Sequence, residues 1–197
     1  MSSVIPLPAE WRGRGLRGGV KRNCHPLPTL PTRGMAKQRQ MSKEAVLMII
    51  KPDGLNKQLA GEILSKFAKA NLQILAARLT RATRKQAEEH YQHIKHMPFF
   101  KNTVGLLMGE FHRQKEILLI VYYGAGAIRK CRDIAGATNP QDASPQSVRG
   151  LYGRVTNGVF ENVVHVSSSK KDAAHEIKLW FKPNEIMNDS VKKRIWK

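Results

Sequence analysis

A chain of 197 residues is long enough for one domain with an extension or for two small domains. Its 34 Lys and Arg against 15 Asp and Glu give a formal net charge of +19, which attracts polyanions such as nucleic acids, anionic membranes or small phosphates. No apolar run approaches the roughly 18 residues that cross a bilayer, and Cys24 and Cys131 lack metal-ligand spacing. The sequence therefore excludes a membrane-spanning protein and predicts a cytoplasmic protein with free thiols.

Residues 1 to 40 differ in composition from the rest of the chain. They contain eight Lys or Arg and one acidic residue, Glu10, with Pro and Gly throughout. Such a segment cannot bury enough apolar area to offset the entropy lost on ordering. We predict a disordered basic N-terminal extension at 1–40 and a folded domain at 41–197. We favour a dispensable extension over an organelle presequence, a tail that binds nucleic acid, or translated sequence upstream of Met35 and Met41.

The folded part alternates between strand and helix patterns. Short apolar or β-branched runs predict strands at 44–50, 72–79, 116–123 and 162–166. Helical spacing of apolar residues predicts helices at about 59–67, 83–96, 103–111, 127–135 and 170–181. Residues 51–54 form a turn, Thr83 and Gln86 form a capping box, and 136–161 is a long segment without regular structure. This order predicts an α+β sandwich in which helices cover one face of a mostly antiparallel sheet.

His165 is the candidate nucleophile. It follows an apolar run, precedes three serines at 167–169, and is followed by the carboxylate of Glu176. An imidazole of ordinary pKa, about 6.5, is neutral near pH 7 and can attack phosphorus directly. The alternative is a structural histidine at a strand end, hydrogen-bonded to a neighbouring backbone group.

A phosphate pocket is predicted around His165. Arg132, Thr138, Arg149 and Asn162 lie in or beside the long segment, and Lys51 ends the first strand. Arginine presents a planar fork of donors to phosphate, and lysine adds a point charge. Taken alone, each basic residue is equally explained as a solvated surface charge.

Seven short motifs follow one another over about 150 residues. They are Lys51–Gly54, Glu88–Tyr91, Pro98–Phe100, Gly136–Pro140, Ser147–Gly150, Asn162–His165 and Glu176–Phe181. With these motifs the chain from about residue 44 onward resembles the nucleoside diphosphate kinase family. The resemblance implies a ferredoxin-like βαββαβ sandwich, with a four-stranded antiparallel sheet covered by helices, assembled into hexamers or tetramers.

The resemblance also implies a reaction and a set of site residues. The γ-phosphate of a nucleoside triphosphate, chiefly ATP, passes to a nucleoside diphosphate by a ping-pong mechanism through phospho-His165, with Mg²⁺ on the phosphates. Glu176 orients the histidine ring, and Tyr91 lies near the transferred phosphate. The remaining matched positions are Lys51, Arg132, Thr138 and Arg149 for phosphate, Asn162 for sugar and Phe99 for base. A single aromatic stack predicts broad base acceptance, because every base has a π-face.

Two departures from the family pattern are expected to affect rate or assembly. The first is the sequence after His165, where Val166 replaces a small residue and Ser168 replaces an aspartate. The second is the stretch Leu151–Glu161, which is about three residues longer than usual. The alternative function is a basic nucleic-acid-binding protein on the same scaffold, with weak or lost kinase activity. A metal site from His90, His93 and His96 is disfavoured, because a helix turns His96 away from the other two.

Overall fold

The core of the fold is a four-stranded antiparallel sheet. The computed structural model describes residues 41–156 and 159–197, so the predicted disorder of residues 1–40 lies outside the described residues. The strands are β1 (Lys43–Ile50), β2 (Gln73–Arg81), β3 (Glu116–Ala125), β4 (Arg154–Thr156), β5 (Val159–Glu161) and β6 (Val164–Val166). The sheet has the order β2-β3-β1-β6 with every neighbouring pair antiparallel, and β4 and β5 form a separate two-stranded ribbon.

Eight α-helices connect and cover these strands within the described part of the chain. They are α1 (Pro52–Asn56), α2 (Ala60–Ala68), α3 (Arg84–His90), α4 (Phe100–Met108), α5 (Ala127–Ala135), α6 (Val148–Tyr152), α7 (Lys170–Trp180) and α8 (Asp189–Ile195). The path β1-α2-β2-β3-α5-β6 is the βαββαβ unit, and its strand order is the ferredoxin-like one. The predicted fold class is confirmed. None of the described helices combines the length and apolar character needed to cross a membrane.

Helices cover both faces of the sheet, so the prediction of one covered face was wrong. Val46, Met48 and Ile50 face a core shared with α2 and α5. Leu47 and Ile49 face a second core shared with α3, α4, α7 and α8. The physical reason is visible in β1, whose apolar residues are continuous rather than alternating. A strand with apolar side chains on both sides requires cover on both sides.

Helix α3 begins as predicted and ends earlier. The Thr83 hydroxyl accepts a hydrogen bond from the Gln86 backbone N–H, and the Gln86 side chain accepts one from the Thr83 N–H, each at 3.2 Å. The backbone leaves the α-helical path at Tyr91, and a 3-10 turn follows at Gln92–Ile94. The predicted extension to residue 96 was wrong; the helix ends where the side chains of His90 and Tyr91 are buried.

The segment 136–161 contains more regular structure than predicted. Ser147 caps α6 by accepting the Gly150 N–H at 3.2 Å, and the β4–β5 ribbon follows. The predicted turn at 51–54 opens the short helix α1, which has Pro52 at its first turn. The C-terminal stretch also forms a helix, α8, capped by Asn188. These elements are short, and a short apolar pattern in the sequence does not distinguish a helix or strand from a loop.

Candidate active site

A cavity of about 860 Å³ lies where β6 ends and α7 passes beside it. Its lining includes all nine residues that the sequence singled out. They are Lys51, Tyr91, Phe99, Arg132, Thr138, Arg149, Asn162, His165 and Glu176. The structure therefore brings together residues that are up to 125 positions apart in the chain.

His165 and Glu176 are directly paired. The His165 Nε2 atom lies 3.0 Å from Glu176 Oε1, and the Ser167 hydroxyl donates to Glu176 Oε2 at 2.5 Å. Burial by itself would raise the pKa of Glu176, but the attraction of His165 and the hydrogen bonds from His165 and Ser167 hold it at about 2. The carboxylate is therefore ionised at neutral pH and accepts from both neighbours.

This pairing determines which ring nitrogen of His165 carries the lone pair. An ionised carboxylate is an acceptor only, so it requires a proton on Nε2. The neutral ring then has its lone pair on Nδ1, the atom not engaged by Glu176. A carboxylate on the distal nitrogen also stabilises the positive charge that the ring acquires when Nδ1 forms a bond.

His90 is part of the site, although the sequence suggested it only as a poor metal ligand. Its ring is buried, its centroid lies 4.4 Å from that of His165, and Trp180 Nε1–H donates to its Nδ1 at 3.2 Å. Burial, reinforced by the charge of His165, lowers the pKa of His90 well below its ordinary value. The ring is thus neutral with its proton on Nε2. Its place within the Glu88–Tyr91 motif was the available signal.

The described residues offer one cluster of three potential metal ligands, His90, His165 and Glu176, with ligand atoms within 4.8 Å of one another. The cluster does not suit a protein-held metal. The Trp180 N–H occupies Nδ1 of His90, so Nε2 carries the proton, and Glu176 is already bonded to His165 and Ser167. His93 and His96 are exposed and do not belong to this cluster.

Two buried cations face the cavity. Arg149 donates to the Gly136 carbonyl at 2.7 Å and to the Val164 carbonyl at 3.0 Å, while its Nε has no partner. Burial lowers the pKa of Arg149 to about 10, which leaves it charged at neutral pH. Burial also lowers the pKa of Lys51, opposed by Asp53, whose carboxylate lies 4.0 Å from the Lys51 ammonium. A desolvated cation without a full set of partners favours an anionic ligand.

A strained turn places Asn162 and His165 in the cavity. Val163 has a φ of +55°, which is unfavourable for a β-branched residue, and Val164 N–H donates to Asn162 O at 2.6 Å across it. The Asp53 carboxylate accepts the Val163 N–H, and the Lys51 N–H donates to the Val163 carbonyl, each at 2.9 Å. These bonds connect the Lys51–Gly54 motif to the Asn162–His165 motif. No local pattern in the sequence predicts this coupling.

The two family departures occupy defined places. Val166 is buried and pairs with Met48, and His165 remains paired with Ile49 across the β1–β6 ladder. The Ser168 hydroxyl donates to Asp172, so a carboxylate remains beside that position. The stretch between 151 and 161 contains the β4–β5 ribbon, which contributes Val159 and Phe160 to the cavity wall. Their predicted effects on rate and assembly remain predictions.

The site predicts a specific acid response. The folded pKa of Glu176, about 2, lies below its ordinary 4.5, so the ionised group contributes stability that is present above pH 4.5 and is lost as pH falls towards 2. The shift corresponds to about 3 kcal/mol. In urea titrations at pH 7, 5 and 3, Glu176→Gln should lose less free energy of unfolding than the unmutated protein between pH 5 and 3. Equal losses would contradict the proposed pairing; Glu88→Gln, an exposed change, is the control.

Comparisons with known proteins agree with this geometry. Residues 44–186 match the family model described as nucleoside diphosphate kinase. The chain belongs to the nucleoside diphosphate kinase family. The nucleoside diphosphate kinase of Legionella pneumophila is 40% identical over 148 residues, which is 75% of this chain and 99% of that protein. That of Pyrococcus furiosus is 39% identical over 143 residues, 73% of this chain and 86% of that protein.

Solved structures support the same family. The Aquifex aeolicus nucleoside diphosphate kinase superposes with a TM-score of 0.67 at 32% identity, covering 74% of this chain and 99% of that one. A transition-state mimic of the Borrelia burgdorferi nucleoside-diphosphate kinase with bound vanadate and ADP also has a TM-score of 0.67, at 28% identity, covering 74% of this chain and 91% of that one. The predicted family and enzyme class are confirmed, and the nucleic-acid-binding alternative is not favoured.

Proposed function

We propose that this site transfers the γ-phosphate of a nucleoside triphosphate, chiefly ATP, to a nucleoside diphosphate through phospho-His165. One observation supports this most strongly: a buried, ionised Glu176 holds Nε2 of His165 in a cavity that also contains Lys51 and Arg149. The family membership of the chain supports the same reaction.

The reaction proceeds in two half-steps, and each forms one bond to phosphorus and breaks another. In the first, the Nδ1 lone pair of His165 attacks the γ-phosphorus, the bond between the γ-phosphorus and the bridging oxygen breaks, and the nucleoside diphosphate leaves with that electron pair. In the second, a β-phosphate oxygen of the acceptor attacks the same phosphorus, and the N–P electrons return to Nδ1. The Nε2 proton stays in place throughout. Glu176 stabilises the positively charged ring of the phosphohistidine between the two half-steps, and no further base is required.

The cations and hydroxyls of the cavity position the phosphates. Lys51, Arg132 and Arg149 bind phosphate oxygens and neutralise charge, which dominates catalysis of phosphoryl transfer. Thr138 adds a hydroxyl contact, and Asn162 binds the sugar. Burial raises the pKa of Tyr91, so its phenol stays protonated and donates a hydrogen bond near the transferred phosphate. Phe99, which is 45% exposed, stacks on the base.

The divalent cation of the family, here proposed to be Mg²⁺, enters with the nucleotide. Because the described carboxylates of the cavity, Glu176 and Asp172, are hydrogen-bonded to protein groups, the phosphate oxygens themselves would hold the ion. When bound, it neutralises phosphate charge. A homo-oligomer of four or six copies is a further proposal from the family resemblance, which the mass in solution tests. A cytoplasmic location is proposed from the free thiols that the sequence predicts.

Labelling with [γ-³²P]ATP tests the proposed function. We expect the protein to acquire acid-labile, alkali-stable label, at most one phosphate per chain, in the presence of Mg²⁺. Addition of GDP should discharge it as GTP, and double-reciprocal plots at several fixed ATP concentrations should be parallel. Excess EDTA should prevent labelling if the metal enters with the nucleotide. Label that resists acid, or a protein that never labels, would overturn the proposal.

A further inference from the structure

We propose that Asp53 is a positioning residue for the phosphoryl transfer, because one of its carboxylate oxygens serves both Lys51 and the turn that presents His165. This inference rests on the proposed function. The side chain of Asp53 is 1% exposed and does not line the cavity, so it acts through the two groups that it contacts rather than on the nucleotide.

The first contact of Asp53 holds a strained backbone. Val163 has a φ of +55°, a left-handed conformation that a β-branched residue rarely adopts. Asp53 Oδ2 accepts the Val163 N–H at 2.9 Å, and the Lys51 N–H donates to the Val163 carbonyl at the same distance. Both backbone polar groups of the strained residue are therefore held by one short segment. Such strain persists only where surrounding contacts impose it.

The start of α1 approaches this turn too closely for a side chain at Gly54. A Cβ atom at Gly54 would lie 3.0 Å from the Val163 carbonyl oxygen and 3.0 Å from Cγ2 of Ile50. His165 follows Val163 by two residues, within β6. The contact with Asp53 therefore fixes the point at which the chain enters the strand that carries the nucleophile.

The second contact of Asp53 affects the charge of Lys51. The same Oδ2 atom lies 4.0 Å from the ammonium of Lys51, a buried side chain that lines the cavity. Burial lowers the pKa of Lys51, and among the neighbouring charges Asp53 opposes this lowering most strongly. The other charges that act on Lys51 are Arg149, Glu161 and Lys57. The carboxylate of Asp53 thus favours the ammonium form, which binds phosphate.

Glu161 is less available than Asp53 as a counter-ion for Lys51. Its carboxylate lies 3.7 Å from the Lys57 ammonium and accepts a hydrogen bond from Arg154, so two other cations already engage it. The second oxygen of Asp53, Oδ1, is buried and accepts no hydrogen bond from a described residue. The negative charge of Asp53 therefore acts chiefly on Lys51.

Asp53→Asn separates the charge of Asp53 from its hydrogen bond, because an amide oxygen still accepts the Val163 N–H. An opposite charge at this range shifts a pKa by about one unit or more towards the ionised form. We expect its loss to lower the pKa of Lys51 and to move the basic limb of the kcat/KM profile by about one pH unit or more towards acid. On the acid side of that limb Lys51 is protonated in both proteins, so kcat/KM should change little.

The shift should disappear when position 51 carries arginine, because a guanidinium stays charged over this range. Asp53→Asn introduced into Lys51→Arg should leave the basic limb where Lys51→Arg places it. A ¹³C NMR titration of the labelled Lys51 side chain measures its pKa directly and separates it from Arg149. This titration needs no phosphoryl transfer, so it tests Asp53 even if His165 does not label. Failure to label would count against the proposed function alone.

Asp53→Ala removes the hydrogen-bond acceptor together with the charge. We expect the Val163 N–H to exchange with deuterium about tenfold faster than in Asp53→Asn, the effect of losing one buried hydrogen bond. The value of kcat should fall on both sides of the basic limb, because the backbone before His165 is released. Asp133→Asn makes the same chemical change as Asp53→Asn on an exposed carboxylate of α5 and should alter neither the pH profile nor the exchange.

Three results would overturn the proposal. An unshifted Lys51 pKa in Asp53→Asn would refute the effect on charge, and an equal loss of kcat/KM at every pH in that variant would indicate a merely structural role. Equal exchange of the Val163 N–H in Asp53→Asn and Asp53→Ala would show that the turn is held without Asp53. If Asp53→Ala does not fold, Asp53→Asn and the NMR titration still test the effect on Lys51.

Discussion

His165→Ala is expected to remove the phosphoenzyme completely and to lower kcat by at least about 10⁴-fold, the scale on which loss of a catalytic nucleophile acts. The transfer has two half-steps, and both use Nδ1 of this ring. The adjacent ring, His90, cannot replace it, because its Nδ1 accepts the Trp180 N–H and its Nε2 carries the proton. The measurements are label incorporation from [γ-³²P]ATP and initial rates with GDP as acceptor.

The control variant for this experiment is His96→Ala, because His96 is exposed and does not line the cavity. It should label and turn over like the unmutated protein. ADP should still shift the thermal midpoint of His165→Ala, because the phosphate and base contacts remain. Persistent acid-labile label in His165→Ala would assign the nucleophile to another residue and refute the proposed mechanism.

Arg149→Ala is expected to lower kcat/KM by about 10³-fold and to change the free energy of unfolding by less than about 2 kcal/mol. The functional loss follows from removing a buried cation that binds transferring phosphate. Two stability effects oppose each other. The Gly136 and Val164 carbonyls lose their donors, at about 1–3 kcal/mol each. The lowered pKa of Arg149, about 10 instead of 12.5, indicates that burying its charge costs the fold about 3 kcal/mol. The substitution by alanine removes this cost.

Kinetics and urea denaturation of Arg149→Ala test both parts, and Arg149→Lys separates charge from geometry. Lysine retains the charge but cannot bind two oxygens with a planar fork, so we expect an intermediate loss of kcat/KM of about tenfold to 100-fold. Arg129→Ala, on the exposed side of α5, is the control and should change neither property. An Arg149→Ala protein with nearly normal kcat/KM would show that Arg149 serves the fold rather than the phosphate.

The elements that the sequence predicted well share a physical cause: a strong, uninterrupted local signal. Helix α5 was predicted with the bounds found, because Gly126 and Gly136 flank a clear helical pattern and both adopt positive φ. Strands β1 and β3 were predicted within two residues at either end because they are continuous apolar runs. The start of α3 was encoded by the reciprocal Thr83 and Gln86 bonds.

The elements that were missed depend on distant parts of the chain. Helix α6 has five residues, and Arg149 within it binds carbonyls of residues 136 and 164. Strands β4 and β5 have three residues each and are stabilised by Glu161, which is paired with Lys57. Such short elements carry too little local preference to be distinguished from loop, so tertiary contacts decide them.

The residue types of the site followed from sequence, whereas their geometry did not. Motif order and spacing identified the family, and the structure placed all nine predicted residues around one cavity. Three details depend on distant partners: Glu176 decides which nitrogen of His165 is free, Trp180 decides which nitrogen of His90 carries the proton, and Asp53 holds the strained Val163.

The amino-acid sequence by itself thus determined the fold family, the candidate nucleophile and the chemical character of the pocket, because these depend on residue identity and on the order of motifs. Only the tertiary structure decided the tautomers of His165 and His90, the desolvation of Lys51 and Arg149, and the position of Phe160 on the cavity wall. Those properties arise from contacts that the fold creates between separate elements, such as the bond between His90 and Trp180, which lie 90 positions apart, and local sequence does not specify such contacts.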